Sequence, residues 1–349
     1  MSGGVDSSVA AYLLKQQDYI CSGATMKLFS DIDTDDTKEK SCCSLRDVKD
    51  ARSVANELDI PYFVYNFSDE FNKQVIERFV KAYIEGATPN PCIDCNRFIK
   101  FDKLLLRARQ LEIDYLATGH YARIEYNNES GRFLLKKALD TSKDQSYFLY
   151  AMTQTQLAHT LFPLGTLSKP QVREIAQKMG FKNADKQDSQ DICFVQDRDY
   201  GSFIEQYTGE KSKNGDYIDL KGNILGSHKG IIRYTIGQRR GLAIALNKPM
   251  YVHSKDTKNN TVTLCEDGDL FEKSLLASDF NWIAIKSIDT PIRIKAKIRY
   301  NQEEQWAMAS QVSHNTVKIE FDEPQRAMAK GQAAVLYDGD IVVGGGTIS

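Results

Sequence analysis

The sequence predicts an α/β protein with a doubly wound, mostly parallel sheet, followed by a small central β-rich domain and a C-terminal β-barrel. Strand-like and helix-like segments alternate through the first part of the chain, which is typical of a parallel sheet covered by helices. Short β-rich runs separated by turn dipeptides follow, and apolar residues then alternate over 292–298. With 349 residues the chain is long enough for two or three domains. We expect these domains at 1–200, 201–275 and 276–349.

Each predicted element follows from a local pattern. In the first part, apolar runs predict strands over 19–29, 60–67 and 113–118. Amphipathic runs predict helices over 50–58, 68–85, 97–111 and 169–180, and a Pro-rich loop is expected over 88–96. Beyond residue 200, strands are expected over 217–220, 230–234, 250–253 and 261–264.

Composition narrows the class of protein. Hydrophobic residues make up 42% of the chain and charged residues 26%, as in ordinary soluble proteins. The formal net charge of −2 argues against a histone-like polyanion binder, although a local basic patch suffices to bind RNA. We find no secretory signal and no apolar run long enough to span a bilayer. We therefore expect a cytoplasmic protein with no membrane or DNA partner.

A glycine-rich segment, Ser2 to Ser8, stands directly before an apolar, helix-forming run over 9–14. Such a loop offers several backbone N–H groups to one anion, and the helix dipole adds positive potential there. The spacing is not that of the nucleotide-kinase loop, because no Lys-Ser/Thr pair follows the glycines. The alternative is an ordinary glycine turn with an Asp or Ser helix cap. A loop of this kind normally follows a strand, but only Met1 precedes it, so we expect either a truncated first strand or another segment in its place.

The seven cysteines suggest a second site. Their odd number, in a chain without a secretory signal, fits a reducing compartment. Cys92 and Cys95 form a C-x-x-C pair, and Cys193 lies far away in the sequence. This set is compatible with half of a zinc site that lacks its fourth ligand, with a redox dithiol, with buried thiols, or with an iron–sulfur cluster that has one open iron. We place Cys95 just before a helix N-terminus, where a lowered thiol pKa makes it a plausible nucleophile.

The remaining candidates have simpler interpretations. Cys42 and Cys43 are expected to be exposed spectators in a polar loop, and Cys21 and Cys265 to lie in the core. His120 differs from the isolated histidines, because it follows Gly119 at the carboxyl end of a predicted strand, where ligands bind in parallel sheets.

These motifs resemble a known family. The segment SGGVDSS is similar to the PP-loop of ATP pyrophosphatases, which have the adenine nucleotide alpha hydrolase-like fold. Further segments, in the same order along the chain, resemble those of the tRNA-specific 2-thiouridylase family: TPNPCIDCNRFIKF, ATGHYAR, KDQSYFL, SQDICF, YTIGQRRGL and KIRYNQ. The family catalyses sulfur transfer to C2 of the wobble uridine in tRNAs for Lys, Glu and Gln. The resemblance therefore implies a sulfurtransferase that uses ATP and Mg²⁺ and binds the tRNA anticodon stem-loop.

The resemblance also assigns roles to residues. Met26 and Gly119 match positions that contact adenosine, and Asp6 is expected to help hold Mg²⁺. Cys193 matches the cysteine that receives a persulfide from a sulfur-relay partner or a cysteine desulfurase. Cys95 matches the nucleophile that completes the transfer through a transient Cys95–Cys193 disulfide. The positions that match ATP phosphate contacts are Ser2, Gly3, Gly4, Val5, Asp6, Ser7 and Ser8. The positions that match tRNA contacts are Asn90, Pro91, Cys92, His120, Lys143, Asp144, Gln145, Arg299, Tyr300 and Gln332.

One departure from the family bears on mechanism. Many members have Asp where this chain has Cys92, and Asp94 lies two positions later. A [4Fe–4S] cluster on Cys92, Cys95 and Cys193 that binds sulfide is therefore an alternative to the persulfide route. Two other classes remain open: an amide-forming PP-loop synthetase, and a non-catalytic RNA-binding or iron–sulfur protein.

Overall fold

The computed structural model describes residues 1–29, 45–186, 192–195, 199–244 and 248–349. Cys42 and Cys43, as well as Ser189 to Asp191 of the SQDICF segment, lie outside these ranges. None of the helices in the described part of the chain is both long and apolar enough to cross a membrane.

The N-terminal domain alternates helices and strands. Its helices are α1 (Val5–Gln16), α2 (Leu45–Glu57), α3 (Ser68–Phe71, Asn72–Ile76 and Glu77–Ile84), α4 (Pro91–Asp94, Cys95–Leu104 and Leu105–Gln110), α5 (Gln154–Ala158) and α6 (Lys169–Lys178). The middle segments of α3 and α4 are π-helical, and a 3₁₀ turn spans Ser146–Leu149. The strands are β1 (Gly23–Lys27), β2 (Tyr62–Asn66), β3 (Leu116–Ala117), β4 (Ala122–Asn127), β5 (Arg132–Lys137) and β6 (Thr160–Leu161).

The parallel arrangement is confirmed in two separate pairs. β1 pairs with β2 and β3 pairs with β6, both in parallel, and the described strands do not link β1 to β3. Met1 lies against β1, where its amine donates to the Ala24 carbonyl and its own carbonyl accepts from Thr25 Oγ1 at 2.5 Å. Residues of both β1 and β3 line the large cavity described below.

Three local predictions need correction. The helix predicted from residue 97 begins at Pro91, because Asn90 caps it and proline is well suited to the first helical position. The segment predicted as a strand over 230–234 forms a 3₁₀ turn, Ile231–Arg233. The strand expected over 113–118 is reduced to the two residues of β3.

The central domain is a four-stranded sheet in the order β8-β7-β10-β9. Its strands are β7 (Gly215–Ile218), β8 (Ile224–His228), β9 (Tyr251–Asp256) and β10 (Thr261–Cys265), and helix α7 (Tyr200–Thr208) precedes them. The side chains of Tyr217, Val252, Val262 and Leu264 are fully buried in its core. Cys265 is also buried, as expected, whereas Cys21 is only partly buried.

The C-terminal β-barrel is confirmed. Its strands are β11 (Phe271–Trp282), β12 (Ile292–Lys297), β13 (Gln305–Ser313), β14 (Thr316–Arg326), β15 (Ala333–Asp338) and β16 (Ile341–Ile348). They follow the order β11-β14-β13-β12-β15-β16, and pairing of β11 with β16 closes the barrel. The expected boundary at 275/276 falls inside β11. The β4–β5 hairpin joins the same sheet, because Lys136 and Leu135 pair with Ile341 and Val342, so the barrel is fixed to the N-terminal domain.

Candidate active site

One open cavity of about 4060 Å³ lies between the N-terminal domain, the start of α4 and the barrel. It brings together most of the residues that the sequence singled out, although they are far apart in the chain. Those that line it are Ser2, Gly4, Val5, Asp6, Ser7, Met26, Asn90, Pro91, Cys92, Cys95, Gly119, His120, Lys143, Gln145, Cys193, Tyr300 and Gln332. Gly3, Ser8, Asp144 and Arg299 do not line it.

The glycine-rich loop presents the N-terminus of α1 to this cavity. Gly4 is the N-cap residue, and no described side chain forms the cap hydrogen bond. The Ser7 and Ser8 hydroxyls instead donate backwards to the Gly4 carbonyl, at 3.0 and 3.1 Å. The alternative of an Asp or Ser helix cap is therefore wrong. An uncapped helix start of this kind is suited to an anion such as phosphate.

Gly3 is held by the side chains of the buried Asn183 and the partly buried Lys186. Its carbonyl accepts from Asn183 Nδ2 at 3.0 Å and from Lys186 Nζ at 3.2 Å. Lys186 also pairs with two carboxylates of α2, Asp47 at 2.6 Å and Asp50 at 2.8 Å. Gly3 has φ of +72°, and a Cβ there would lie 2.4 Å from the Asp47 carbonyl oxygen. Only glycine fits this position, which fixes the loop against α2.

Asp6 makes short contacts within the protein. Its Oδ1 and Oδ2 accept from Lys169 Nζ at 2.7 and 2.8 Å, and Oδ1 also accepts from the Tyr121 hydroxyl at 2.8 Å. A magnesium ion binds carboxylate oxygen at about 2.0–2.1 Å in near-ideal octahedral geometry. An ammonium group already in contact with both oxygens does not fit that geometry. The expected Mg²⁺ role of Asp6 therefore disagrees with its surroundings.

The two positions expected to contact adenosine flank the loop. Met26 lies on β1 and lines the cavity. Gly119 approaches the loop so closely that a Cβ would lie 2.8 Å from the Asp6 carbonyl carbon and 2.9 Å from the Ser7 nitrogen. The lack of a side chain at residue 119 is therefore what lets this segment pack on the glycine-rich loop.

The C-x-x-C pair lies at the start of α4 rather than in a loop. The Asn90 side chain accepts from the Cys92 backbone N–H at 3.2 Å, so Cys92 is in the first helical turn and is exposed. Cys95 begins the π-helical segment and is half-buried. The prediction that Cys95 precedes a helix N-terminus is thus wrong. Because the dipole effect falls off within the first turn, it acts on Cys92 more than on Cys95.

Cys193 reaches the same region from a distant part of the chain. Cys95 and Cys193 both pack against one apolar cluster, which includes Phe71 and Phe79. The neighbouring Phe194 packs edge-on against those two rings, at centroid distances of 5.9 and 5.2 Å. Within the described ranges, no three His, Cys, Asp or Glu side chains gather closely enough to hold a metal ion. The three thiols therefore do not fit an iron–sulfur cluster in this arrangement.

His120 is a neutral histidine at the cavity wall. Its Nδ1 lies 2.7 Å from Thr118 Oγ1, and its ring packs on Phe101 and Phe162 at 5.8 Å. Loss of hydration, with a smaller effect from the nearby Lys100 charge, lowers the pKa of His120 well below its usual value. A neutral ring can donate or accept a hydrogen bond at neutral pH.

The barrel supplies one side of the cavity. Gln332 donates to the Thr88 carbonyl at 2.7 Å, which fixes the segment leading to Cys92. Tyr300 packs on Phe148 at a centroid distance of 4.4 Å. Aromatic faces of this kind are typical stacking platforms for unpaired bases.

Two of the residues expected to bind tRNA turn inward. The Asp144 carboxylate is buried and accepts from the Ala138 and Ser146 backbone N–H groups, at 3.0 and 3.2 Å. Arg299 donates to the Ala327 carbonyl at 2.7 Å and to the Ile236 carbonyl at 3.4 Å. Both thus stabilise the protein's own backbone in this structure, and their contact with tRNA stays a prediction.

Sequence reasoning did not identify the residues that support the loop: Tyr121, Lys169, Asn183 and Lys186. Tyr121 directly follows Gly119-His120 and is itself part of the ATGHYAR segment. No sequence pattern marked Lys169 as functional, because a lysine beside a helix-opening proline is usually exposed.

Comparison with known proteins places the chain in a family. Family models match it throughout: the tRNA methyl transferase HUP domain over 1–197, the tRNA methyl transferase PRC-barrel domain over 201–266 and the aminomethyltransferase beta-barrel domain over 272–348. The tRNA-specific 2-thiouridylase MnmA of Clostridioides difficile is 53% identical over 348 residues, which cover 100% of this chain and 96% of that protein. The chain belongs to the tRNA-specific 2-thiouridylase family.

Other members of the 2-thiouridylase family are equally similar. The enzyme of Acetivibrio thermocellus is 54% identical, with 100% of this chain and 97% of that protein covered. The enzyme of Lachnoclostridium phytofermentans is 52% identical, with 100% and 98% covered. Among solved structures, the U34-tRNA thiolase NcsA from Methanococcus maripaludis with its [4Fe-4S] cluster matches with a TM-score of 0.34 and 20% identity, over 60% of this chain and 62% of that one.

Proposed function

We propose that this chain is a tRNA-uridine 2-sulfurtransferase that converts the wobble uridine of tRNAs for Lys, Glu and Gln into 2-thiouridine. One observation carries the proposal: a single cavity is lined by the uncapped start of α1, by Cys95 and by Cys193. The first feature suits ATP, and the two thiols suit sulfur transfer. An amide-forming synthetase has no use for the two cysteines.

The first step is activation of the base. The uridine 2-oxygen attacks the α-phosphorus of ATP, a new P–O bond forms, and pyrophosphate leaves. The helix start at Gly4 and Val5 holds the phosphates. Activation is needed because the 2-oxygen is a poor leaving group until it carries AMP.

The second step delivers sulfur. A partner protein, a cysteine desulfurase or a sulfur relay, supplies the outer sulfur as a persulfide on Cys193. That sulfur attacks C2 and AMP leaves, so C2 is joined to Cys193 through two sulfurs. The Cys95 thiolate then attacks the Cys193 sulfur, which releases 2-thiouridine and forms a Cys95–Cys193 disulfide. An external dithiol reductant restores both thiols.

The tRNA presents an unpaired base, so moving it into a pocket costs little. Tyr300 on Phe148 offers a stacking surface, and Lys143 supplies positive charge at the cavity wall. The reducing cytoplasm is the compartment that suits this chemistry, because both cysteines must return to the thiol form after each turnover.

The test is a complete reaction with the full chain, an unmodified tRNA transcript, ATP, Mg²⁺ and a persulfide donor. We expect 2-thiouridine by mass spectrometry, with AMP and pyrophosphate formed in equal amounts, and no product when ATP, tRNA or the donor is omitted. AMP formation driven by ammonia and a small acid without tRNA would instead indicate an amide-forming synthetase. tRNA binding without ATP turnover would indicate a non-catalytic protein. Product that forms only with a reconstituted iron–sulfur cluster and sulfide would replace the persulfide route.

A further inference from the structure

Asp6, which lines the cavity, forms an ion pair with Lys169 that the steps above do not use. Lys169 opens α6, and only 7% of the residue is exposed. Its backbone N–H donates to Asp140 Oδ2 at 2.9 Å, which fixes the start of the helix. Its ammonium reaches both Asp6 oxygens, and the Tyr121 hydroxyl completes the set. Three parts of the chain therefore meet at one carboxylate.

Charge balance explains why this contact exists. A buried ammonium is costly unless a carboxylate neutralises it and hydrogen bonds satisfy the pair. Asp6 provides that carboxylate for Lys169. A divalent cation on the same oxygens would lie against the ammonium, and like charges at such a distance repel strongly in a partly buried site.

Tyr121 extends the connection toward the far wall of the cavity. Its backbone N–H donates to Gln145 Oε1 at 3.0 Å, and its carbonyl accepts from the Gln145 N–H at 2.8 Å. Asp6 is thus linked through Tyr121 to Gln145, on the wall expected to face tRNA.

We propose that Asp6 is the counter-ion of Lys169 and not a magnesium ligand, and that Lys169 and Tyr121 are positioning residues that set the glycine-rich loop for ATP. This inference rests on ATP binding at the loop, which is part of the proposed function. The ion pair fixes α1 on α6, so the N–H groups at the start of α1 keep one orientation toward the phosphates.

A double-mutant cycle tests the pair. Asp6→Asn, Lys169→Met and the double variant are compared with Lys178→Met, which removes an exposed lysine from the other end of the same helix, where it pairs with Glu174. Two quantities are measured: the thermal midpoint without nucleotide, and binding of α,β-methylene-ATP across a Mg²⁺ titration. We expect each single variant to lower the midpoint and weaken binding about tenfold at saturating Mg²⁺. We expect the double variant to be no worse than either single variant, and Lys178→Met to behave like the parent.

The Mg²⁺ titration separates the two roles of Asp6. As a counter-ion, Asp6→Asn leaves the half-saturating Mg²⁺ concentration within about twofold of the parent value, as does Lys169→Met. A rise of about tenfold or more in Asp6→Asn alone would overturn the proposal. Additive losses of thermal stability would also overturn it.

Tyr121→Phe keeps the ring and removes one hydrogen bond, so it provides a second test if the Asp6 and Lys169 variants do not fold. It should weaken analogue binding by a few fold without moving the Mg²⁺ midpoint; an unchanged affinity would contradict its positioning role. If the parent chain binds no analogue, the proposed function fails at its ATP step. The thermal cycle still decides whether Asp6 and Lys169 act as a pair.

Discussion

The glycine-rich loop and the cysteine-bearing start of α4 lie on the same cavity but are built differently. The loop is held from several sides: Gly3 by Asn183 and Lys186, and Asp6 by Lys169 and Tyr121. The start of α4 is capped by Asn90 and anchored by the buried Ile93 and by the Arg78–Asp94 ion pair at 3.5 Å, while Cys92 remains exposed.

This difference matches two kinds of chemistry. Phosphate binding by backbone N–H groups gains from a fixed geometry, because the donors need not reorganise when the ligand arrives. Thiol exchange needs sulfur atoms that a partner can reach. The loop is therefore suited to a nucleotide, and Cys95 and Cys193, which are only partly buried and line the cavity, are suited to an incoming sulfur donor.

The largest effect is expected from removing the thiols. Cys95→Ser and Cys193→Ser should each reduce 2-thiouridine formation by a factor on the order of 10³ or more, because serine cannot carry or displace sulfur. Binding of tRNA, measured by filter retention, should stay unchanged. Cys21→Ser, a partly buried cysteine outside this pair, is the matched control. Full thiolation by Cys193→Ser would show that Cys193 is not the persulfide carrier.

On the other side of the comparison, Gly3→Ala should weaken ATP binding by about tenfold or more. Its Cβ would overlap the Asp47 carbonyl at 2.4 Å, so the loop must leave α2. Gly180→Ala is a matched control, since Gly180 also has a positive φ, of +70°, but a Cβ at residue 180 would meet no atom within 4 Å. Equal ATP affinities for the two variants would mean that the close contact of Gly3 with α2 does not control ATP binding.

The same contrast explains what the sequence could predict. The glycine-rich loop and the C-x-x-C pair are local patterns, and the placement of the loop beside Gly119 and His120 follows from the carboxyl-end rule for parallel sheets. The start of α4 could also have been predicted, since Asn90 is a typical N-cap residue and Pro91 suits the first helical turn. The prediction of a loop there came instead from a second proline nearby.

Long-range partners could not be predicted. Asp6 and Lys169 are 163 positions apart, and nothing local marks either as half of an ion pair. Arg299 is expected to contact tRNA, but its guanidinium bonds to carbonyls of other segments. The pairing of β5 with β16 is likewise set by tertiary packing. Which partner a long side chain selects depends on three-dimensional packing that a single sequence does not display.

A smaller effect should appear in the pH dependence of stability. Because burial lowers the pKa of His120, the unfolded chain takes up a proton at this residue below pH 6.5 while the folded chain does not. Stability should therefore fall as the pH drops below that value, by up to about 1.4 kcal/mol per pH unit. Urea unfolding at pH 7.5 and 5.5 measures it, with His120→Asn as the reference. An equal loss of stability at low pH in both proteins would mean that other titratable groups cause the loss.

The smallest effect concerns the rim of α4 and tests whether the cap alone orients Cys92. Asn90→Ala removes the acceptor for the Cys92 N–H and should cost about 1 kcal/mol of stability, whereas Asn90→Asp keeps an acceptor and should cost much less. Because Cys92 is exposed, the rate at which it reacts with iodoacetamide reports on the first turn directly. We expect the rate to change in Asn90→Ala while the Cys95 rate stays near that of the parent. If the reaction rates of both thiols change together, then α4 responds as one unit. The cysteine-bearing start of α4 would then be as firmly fixed as the glycine-rich loop.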